Sequence, residues 1–501
     1  VRASPLVEQQ VLRVDNGLPY LDRYWREELQ VRDDLLARLD RQAPEIEHTA
    51  LTAGVLRVFP VDGYDEQRAA ARGAAERWTT VLTGGPGTGK TTTVAGLLAL
   101  LAEQAELQGP GDGSRRRLRI ALSAPTGKAS ARLQESVERE MLALQPIDRE
   151  RLGVLTSSTL HRLLGWRRDS AIRFRHDRAN RLPHDVVVVD ETSMVSLTMM
   201  ARLLEAVRPS ARLVLVGDPG QLASVEAGAV LADLVDGFGR RGDSPVAALV
   251  TSHRFGGGIA ELAQALREDD ADRAIEVLRS GGDVELVDPA DETAMRAFRT
   301  SVTDAAYDVL RAAEDGDAAG AVAALDRHRL LCAHREGPFG VGGWNRQVER
   351  MVAERTGVTH YEEWYAGRPV LITANDYAQG LYNGDVGVTV RLGDDARPSG
   401  RLRVVVPGAD GLKEFATTRL ADVQTVYAMT VHKSQGSQAL EVSVVMPPED
   451  SRLLTHELFY TAVTRAQEKV RVIGTEESVR AAVGRKVQRA SGLARRLGLM
   501  S

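Results

Sequence analysis

No stretch of this chain limits its fold more than residues 84–91, GGPGTGKT. The stretch fits GxxxxGK[ST], follows the apolar run TTVL and opens a helical pattern that continues to Glu106, so both its spelling and its setting meet the requirement for a phosphate-binding P-loop. Gly84, Gly85, Gly87 and Gly89, interspersed with Pro86 and Thr88, let backbone N–H groups wrap a polyphosphate, and the helix start adds the positive end of its dipole. Lys90 is expected to reach the terminal phosphates of ATP and Thr91 to coordinate Mg²⁺, with Thr92 beside them.

Such a loop needs a parallel sheet behind it, and the pattern supplies one. Short apolar runs alternate with helical ones: WTTVLTGG, LRIALSAPTG, DVVVVDE, ARLVLVGDPGQL and VAALVTSHRF, then from Leu330 a second series with RLLCAHRE, RPVLITAND, VYAMTVH, EVSVVMP and KVRVIG. This predicts an α/β chain with two parallel-sheet lobes covered on both faces. Within residues 166–182, Ile172 and Phe174 alternate with arginines, which predicts a small protruding basic β-hairpin. Residues 383–423 turn glycine-rich with short strands and predict a small inserted β-barrel. The expected organisation is an N-terminal segment 1–62, a first lobe 63–250 and a second lobe 251–501.

The bulk numbers are those of a soluble globular protein: 501 residues, 43% hydrophobic and 27% charged, enough for two to four domains. No apolar run approaches the roughly 18 residues that cross a bilayer. The single cysteine, Cys332, excludes an internal disulfide or a cysteine zinc site and suits a cytoplasmic location. The net charge of −5 hides an asymmetry, since residues 158–184 hold seven arginines against two aspartates, whereas 268–326 hold sixteen acids against five arginines. The first stretch suits phosphates and the second a solvated helical surface. The chain has only six lysines, and Lys90, Lys128 and Lys433 fall inside polar motifs where a compact ammonium is distinct from a guanidinium.

Further candidates cluster at strand ends. VVVVDE offers Asp190 as a second metal ligand and Glu191 to polarise an attacking water. In LVGDPGQL, Gln221 is either a γ-phosphate sensor or a turn residue, and Gln67 in DEQRAA is either an adenine reader or an ordinary surface helix residue. Trp166, Phe174 and Tyr382 suit either base stacking or core packing.

The ordered set GGPGTGKT, SAPTGKASARL, TLHRLLG, VVVVDETSM, VGDPGQLASVEAG, TSHRF, VYAMTVHKSQGS and LFYTAVTRA resembles superfamily-one DNA helicases of the 5′-to-3′ branch. CAHREGPFGVGGWN, NDYAQGLYNGDVG and PYLDRYWREE narrow the resemblance to the RecD-type α subunits of bacterial RecBCD enzymes (exonuclease V), over about residues 63–475. It implies two RecA-like P-loop NTPase lobes that sandwich ATP, the hairpin as a pin on the first lobe, an SH3-like barrel on the second, and a shortened partner-docking N-terminal segment. It also implies an ATP-dependent single-strand translocase and helicase in double-strand-break repair, with single-stranded and double-stranded-end DNA and RecB-like and RecC-like subunits as partners. Arg254 and Arg465 then match the arginines that reach the γ-phosphate, and Gln435 and Gly436 face the triphosphate. Thr126, Gly127, Lys128 and His161 on the first lobe, and Thr430, His432 and Ser434 on the second, become DNA contacts. Gln438 departs from the Glu usual at its position. A stand-alone relative, or a P-loop ATPase that regulates without translocating, are the alternatives.

Overall fold

The computed structural model describes residues 4–108, 117–167, 173–252, 257–359, 361–376, 378–394, 397–408, 411–487 and 491–498. The chain divides into two compact units, Val1–Arg254 together with Gln488–Ser501, and Phe255–Val487.

In the first unit a short helix, Pro5–Glu8, leads into a hairpin, β1 (Leu12–Asp15) and β2 (Leu18–Leu21). Asn16 and Gly17 turn it with φ of 49° and 83°, the left-handed pair that matches strand twist in a two-residue loop. Its main sheet contains β3 (Thr79–Gly84), β4 (Ile120–Ala124), β5 (Ser157–Thr159), β6 (Val186–Val189), β7 (Arg212–Gly217) and β8 (Val246–Leu249). All pair in parallel, in the order β5-β4-β6-β7-β3-β8. The run of four valines in β6 is buried throughout, and its alternate residues serve opposite faces. Val187 and Val189 pack with helices Leu197–Ala206 and Val230–Phe238. Val186 and Val188 pack with the P-loop helix Lys90–Leu107 and with helices His48–Val58 and Asp65–Ala75.

Residues 4–62 are woven into this unit. In helix Asp22–Leu39, Val31 and Leu35 are fully buried in the core. Arg38, also buried, donates to Thr79 Oγ1 (2.7 Å), Trp78 O (2.9 Å), Arg208 O (3.0 Å) and Ala211 O (2.5 Å), tying the starts of β3 and β7 together. Tyr20 is buried as well, so the expectation of a free docking segment is corrected for that residue. The expected second lobe also loses its last residues. Helix Leu493–Gly498 buries Leu493 and Leu497 in the first unit's core, and Ser491 Oγ donates to Glu28 Oε1 (2.9 Å). Gly237 permits this close approach, because a Cβ there would lie 2.7 Å from Ala494 O.

Of the expected hairpin, Ile172 lies outside the described residues. One antiparallel bridge joins Trp166 to Phe174. Phe174 is buried in the core rather than displayed, and Arg178 pairs with Asp34 at 2.7 Å, so this part of the segment lies against the unit.

The second unit contains β9 (Val284–Val287), β10 (His328–Cys332), β11 (Pro369–Ile372), β12 (Val386–Asp394), β13 (Arg397–Gly408), β14 (Gly411–Ala416), β15 (Val423–Thr425), β16 (Ala428–Thr430), β17 (Ala439–Val445) and β18 (Ala466–Ile473). A parallel sheet runs β16-β10-β17-β18-β9, and an antiparallel sheet runs β14-β13-β12-β11-β15. The expected barrel is this second sheet. It starts at Pro369 rather than at residue 383, and among the described residues its edge strands β14 and β15 do not pair with each other. Of the run VYAMTVH only Ala428–Thr430 is strand, with a helix from Val431; the chain leaves the antiparallel sheet just before the run, at Thr425, and enters the parallel one at Ala428. Asn345 brackets the break, donating to Thr425 O (3.0 Å) and accepting from Ala428 N (2.8 Å).

Candidate functional site

The P-loop leaves β3 at Gly84 and enters its helix at Lys90. Gly87 and Gly89 take φ of 79° and 82°, a conformation that side chains with a Cβ rarely adopt. At Gly84 space is the constraint, since a Cβ would sit 2.4 Å from Thr88 Oγ1. Thr88 Oγ1 donates to Gly85 O (2.9 Å), and Lys90 Nζ donates to Gly84 O (2.7 Å) and Gly85 O (2.9 Å). Pro86, Thr91 and Thr92 are half-buried around the loop and the first helical turn. Gln67 is fully buried behind the loop and donates to Thr88 O at 2.9 Å. The reading of Gln67 as a surface residue is therefore corrected: its side chain braces the loop from within.

Asp190 follows β6, which is separated from β3 by β7. Its Oδ1 accepts from Glu191 N at 2.8 Å. Glu191 has φ of 50° and ψ of 39°, a left-handed backbone uncommon outside glycine and asparagine, of the kind that collects at functional sites. Burial and then the neighbouring Glu191 charge push the Asp190 carboxyl well above the usual carboxylate range, against the opposing pull of the Glu191 N–H and Lys90. An acid in that position gains from a cation. A hydroxyl at Thr91 and a carboxylate at Asp190 are the hard oxygen donors that Mg²⁺ takes alongside water and phosphate. From β7, the strand between, comes Gln221, buried, with Nε2 donating to Asp218 Oδ2 at 3.1 Å. The structure thus gathers the P-loop, the acid pair and Gln221 at the C-terminal ends of three consecutive strands of one sheet, the edge where open α/β sheets bind ligands.

On the same unit, Thr126 caps helix Gly127–Ala143 by accepting from Ala129 N (3.2 Å), which puts Gly127 and Lys128 in its first turn after β4. His161 is exposed on helix Leu160–Leu164, its ring centroid 5.8 Å from that of Phe174.

On the second unit, β16 ends at Thr430, which caps the short helix Val431–Ser434 by accepting from Lys433 N (3.3 Å). His432 is half-buried. Ser434 is 1% exposed and donates to Val431 O (2.7 Å), so its hydroxyl is turned inward, unlike the outer-contact role expected of it. Gly436 turns the chain with φ of 68°, after Gln435. Arg465 is buried beside this turn, donating to Thr461 O (3.2 Å) and Ser437 O (3.4 Å). Arg465, Gln435 and Gly436, far apart in sequence, are therefore neighbours. Gln438 Oε1 accepts from Gln467 Nε2 at 3.1 Å. Arg254 lies outside the described residues. Sequence reasoning passed over Asn345, whose bracket sets the direction of the cassette, although the GGWN it sits in had been noticed as a motif.

Residues 63–289 match the family model of an AAA domain, and residues 425–473 that of the UvrD-like helicase C-terminal domain. Bacteroides Pif1 bound to ssDNA has a related structure, at a TM-score of 0.43 and 15% identity over 83% of this chain and 93% of that one. The ATP-dependent RecD2 DNA helicase of Deinococcus radiodurans is 32% identical over 81% of this chain and 48% of its own length. The RecBCD enzyme subunit RecD of Mycobacterium tuberculosis is 59% identical over 99% of this chain and 83% of its own length. By that likeness, which spans nearly the whole sequence, the chain belongs to the RecD family of RecBCD enzyme subunits.

Proposed function

We propose that this chain is the ATP-hydrolysing DNA helicase subunit of a RecBCD-type helicase–nuclease, a motor that runs 5′ to 3′ along one strand from double-stranded ends during break repair. The observation that carries the reading is the gathering of Lys90, Thr91, Asp190, Glu191 and Gln221 at one sheet edge in a member of the RecD family.

The P-loop N–H groups hold the β- and γ-phosphates, and Lys90 exchanges its carbonyl partners for phosphate oxygens. Thr91 and Asp190 are the residues to hold Mg²⁺, which when bound neutralises charge between the phosphates. Glu191 orients and polarises the attacking water, and Gln221 reports the γ-phosphate to β7. Arg254 and Arg465 complete the charge stabilisation, with Gln435 and Gly436 as the link from Arg465 to the strand-gripping residues. Those are Thr126, Gly127, Lys128 and His161 on the first unit and Thr430 and His432 on the second. Hydroxyls, amides and a few cations on phosphates grip any sequence, as a translocating motor requires.

In domain terms, we read the two parallel sheets as RecA-like lobes, the antiparallel sheet β11–β15 as the SH3-like insertion and residues 166–182 as the strand-separating pin. RecB-like and RecC-like chains are the proposed partners, met through the N-terminal segment, including the half-buried Tyr24 and Trp25. No described helix is long and apolar enough to cross a membrane.

ATP turnover measured with and without single-stranded DNA tests the reading. Wild type should be strongly stimulated and Lys90→Gln inactive in both conditions; a DNA-independent rate would mark a regulatory ATPase instead.

A further inference from the structure

The motif at residues 332–345, CAHREGPFGVGGWN, supplies nothing to the site above apart from Asn345. The chain leaves β10 at Cys332, which stands in register with Thr430 at the end of β16. The loop 333–340 and the cassette 431–436 therefore emerge side by side from one edge of the second parallel sheet. The loop is firmly built. Val341 N donates to His334 O (3.0 Å), Gly342 N to Arg335 O (2.9 Å) and Gly340 N to Gly337 O (3.1 Å). A Cβ at Gly340 would lie 2.3 Å from Glu336 O, and a His334 ring nitrogen is 2.9 Å from Ser451 Oγ.

This rigid loop shows two side chains to solvent that its own fold does not need: Arg335, exposed, and Phe339, an aromatic ring left 40% exposed. Beside it Lys433 is half-buried, its Nζ donating to Asn383 Oδ1 at 2.7 Å. Burial, and after it the Arg335 charge, lower the proton affinity of both His432 and Lys433. Among the described residues no carboxylate pairs with Arg335 or Lys433. The loop's own acid, Glu336, shares the space beside Gly342 with Arg346. Two cations that no carboxylate pairs suit an arriving anion.

We propose that Arg335, Lys433 and Phe339 form an additional single-strand contact of the second unit, the two cations on backbone phosphates and the Phe339 ring stacked on a base. The proposal rests on the motor reading and adds to it residues that are not among the grip positions named above. An ammonium and a guanidinium on phosphates with one aromatic platform is the chemistry of sequence-independent strand binding.

Salt-dependent binding of the full chain to a labelled oligothymidylate tests it. Removing one phosphate contact lowers the slope of log affinity against log salt by about 0.7, so the R335A/K433A variant should lose about 1.4 and each single variant half of that. The conservative R335K/K433R variant should keep the wild-type slope, which separates loss of charge from loss of fold. Phe339→Ala should weaken binding by about tenfold at every salt concentration without changing the slope. If the wild type does not bind the oligonucleotide, the motor reading itself fails. If the wild type binds and R335A/K433A keeps its slope and affinity, or R335K/K433R loses slope as the alanine variant does, the contact is overturned while the motor reading stands.

Discussion

At the C-terminal edge of the first parallel sheet, backbone glycines, one lysine and two neighbouring carboxylates stand together. At the same edge of the second, β10 and β16 lead to Arg335, His432 and Lys433, with no carboxylate paired to Arg335 or Lys433 among the described residues. Both edges owe their position to parallel topology, which opens the strand ends to ligands. What differs is what each must do with a phosphate. On the proposed function the first breaks a phosphoanhydride, with Asp190 assigned to a metal and Glu191 to a water, and the fold holds there a carboxylate that resists ionisation. The second is proposed to hold and release a strand at this edge, and paired acids there would repel it. Shared architecture thus gives the two units the same kind of opening, and the side chains that line each differ in charge.

The division of labour is most exposed at Arg465, the one residue of the second unit assigned to hydrolysis. Arg465→Gln should lower ATP turnover by about 10³-fold or more while ATP binding persists; a turnover near wild type would confine the chemistry to the first unit. Lys90→Gln and Glu191→Gln should each cost at least about 10²-fold in DNA-stimulated turnover, with circular dichroism unchanged.

A stability effect should stay on one side of the comparison. Asp148 is fully buried between Arg57 (3.0 Å) and Arg151 (3.3 Å) and ties helix Pro146–Leu152 to helix His48–Val58, while Arg151 reaches Glu103 (3.0 Å) on the P-loop helix. Asp148→Ala removes charged hydrogen bonds from Arg57 and Arg151, which keep Glu103 and Glu106, and should cost about 2 kcal/mol. Calorimetry should show the first unit's unfolding transition moving down and the second unit's staying in place.

The smallest effect is in pH. Because the folded protein holds the Asp190 proton more tightly than the unfolded chain does, this group contributes nothing below the unfolded value. Its ionisation then erodes stability as pH rises through the ordinary carboxylate range to the raised folded value. Asp190→Asn should therefore raise Tm at pH 7 and leave it unchanged at pH 3, while abolishing Mg²⁺-dependent turnover. An equal Tm change at both values would contradict an electrostatically strained acid pair.

Local chemistry was legible in the sequence and long-range placement was not. The P-loop could be read because every constraint on it lies within eight residues, and DVVVVDE because four valines and two acids are unambiguous for a buried strand with a polar end. Tyr20 in PYLDRYWREE reads equally as an interface anchor and as a core residue, and only the fold, which buries it, decides between them. The break between Thr425 and Ala428 was invisible because both sides are β-forming, and its cause, the Asn345 carboxamide, is about eighty residues away. Leu493 and Leu497 gave no sign of crossing back to the first unit, since periodicity says that a helix buries a face and not against what. Phe174 fits a stacking platform by composition, yet its neighbour Leu182 shares the same core.

The most direct measurement is unwinding of a duplex carrying a single-stranded tail on only its 5′ side or only its 3′ side, with ATP and Mg²⁺. A 5′-to-3′ motor should separate the 5′-tailed duplex and leave the 3′-tailed one intact, with Lys90→Gln inactive on both. Separation of the 3′-tailed duplex alone, or brisk DNA-stimulated ATP turnover with neither duplex opened, would contradict the account.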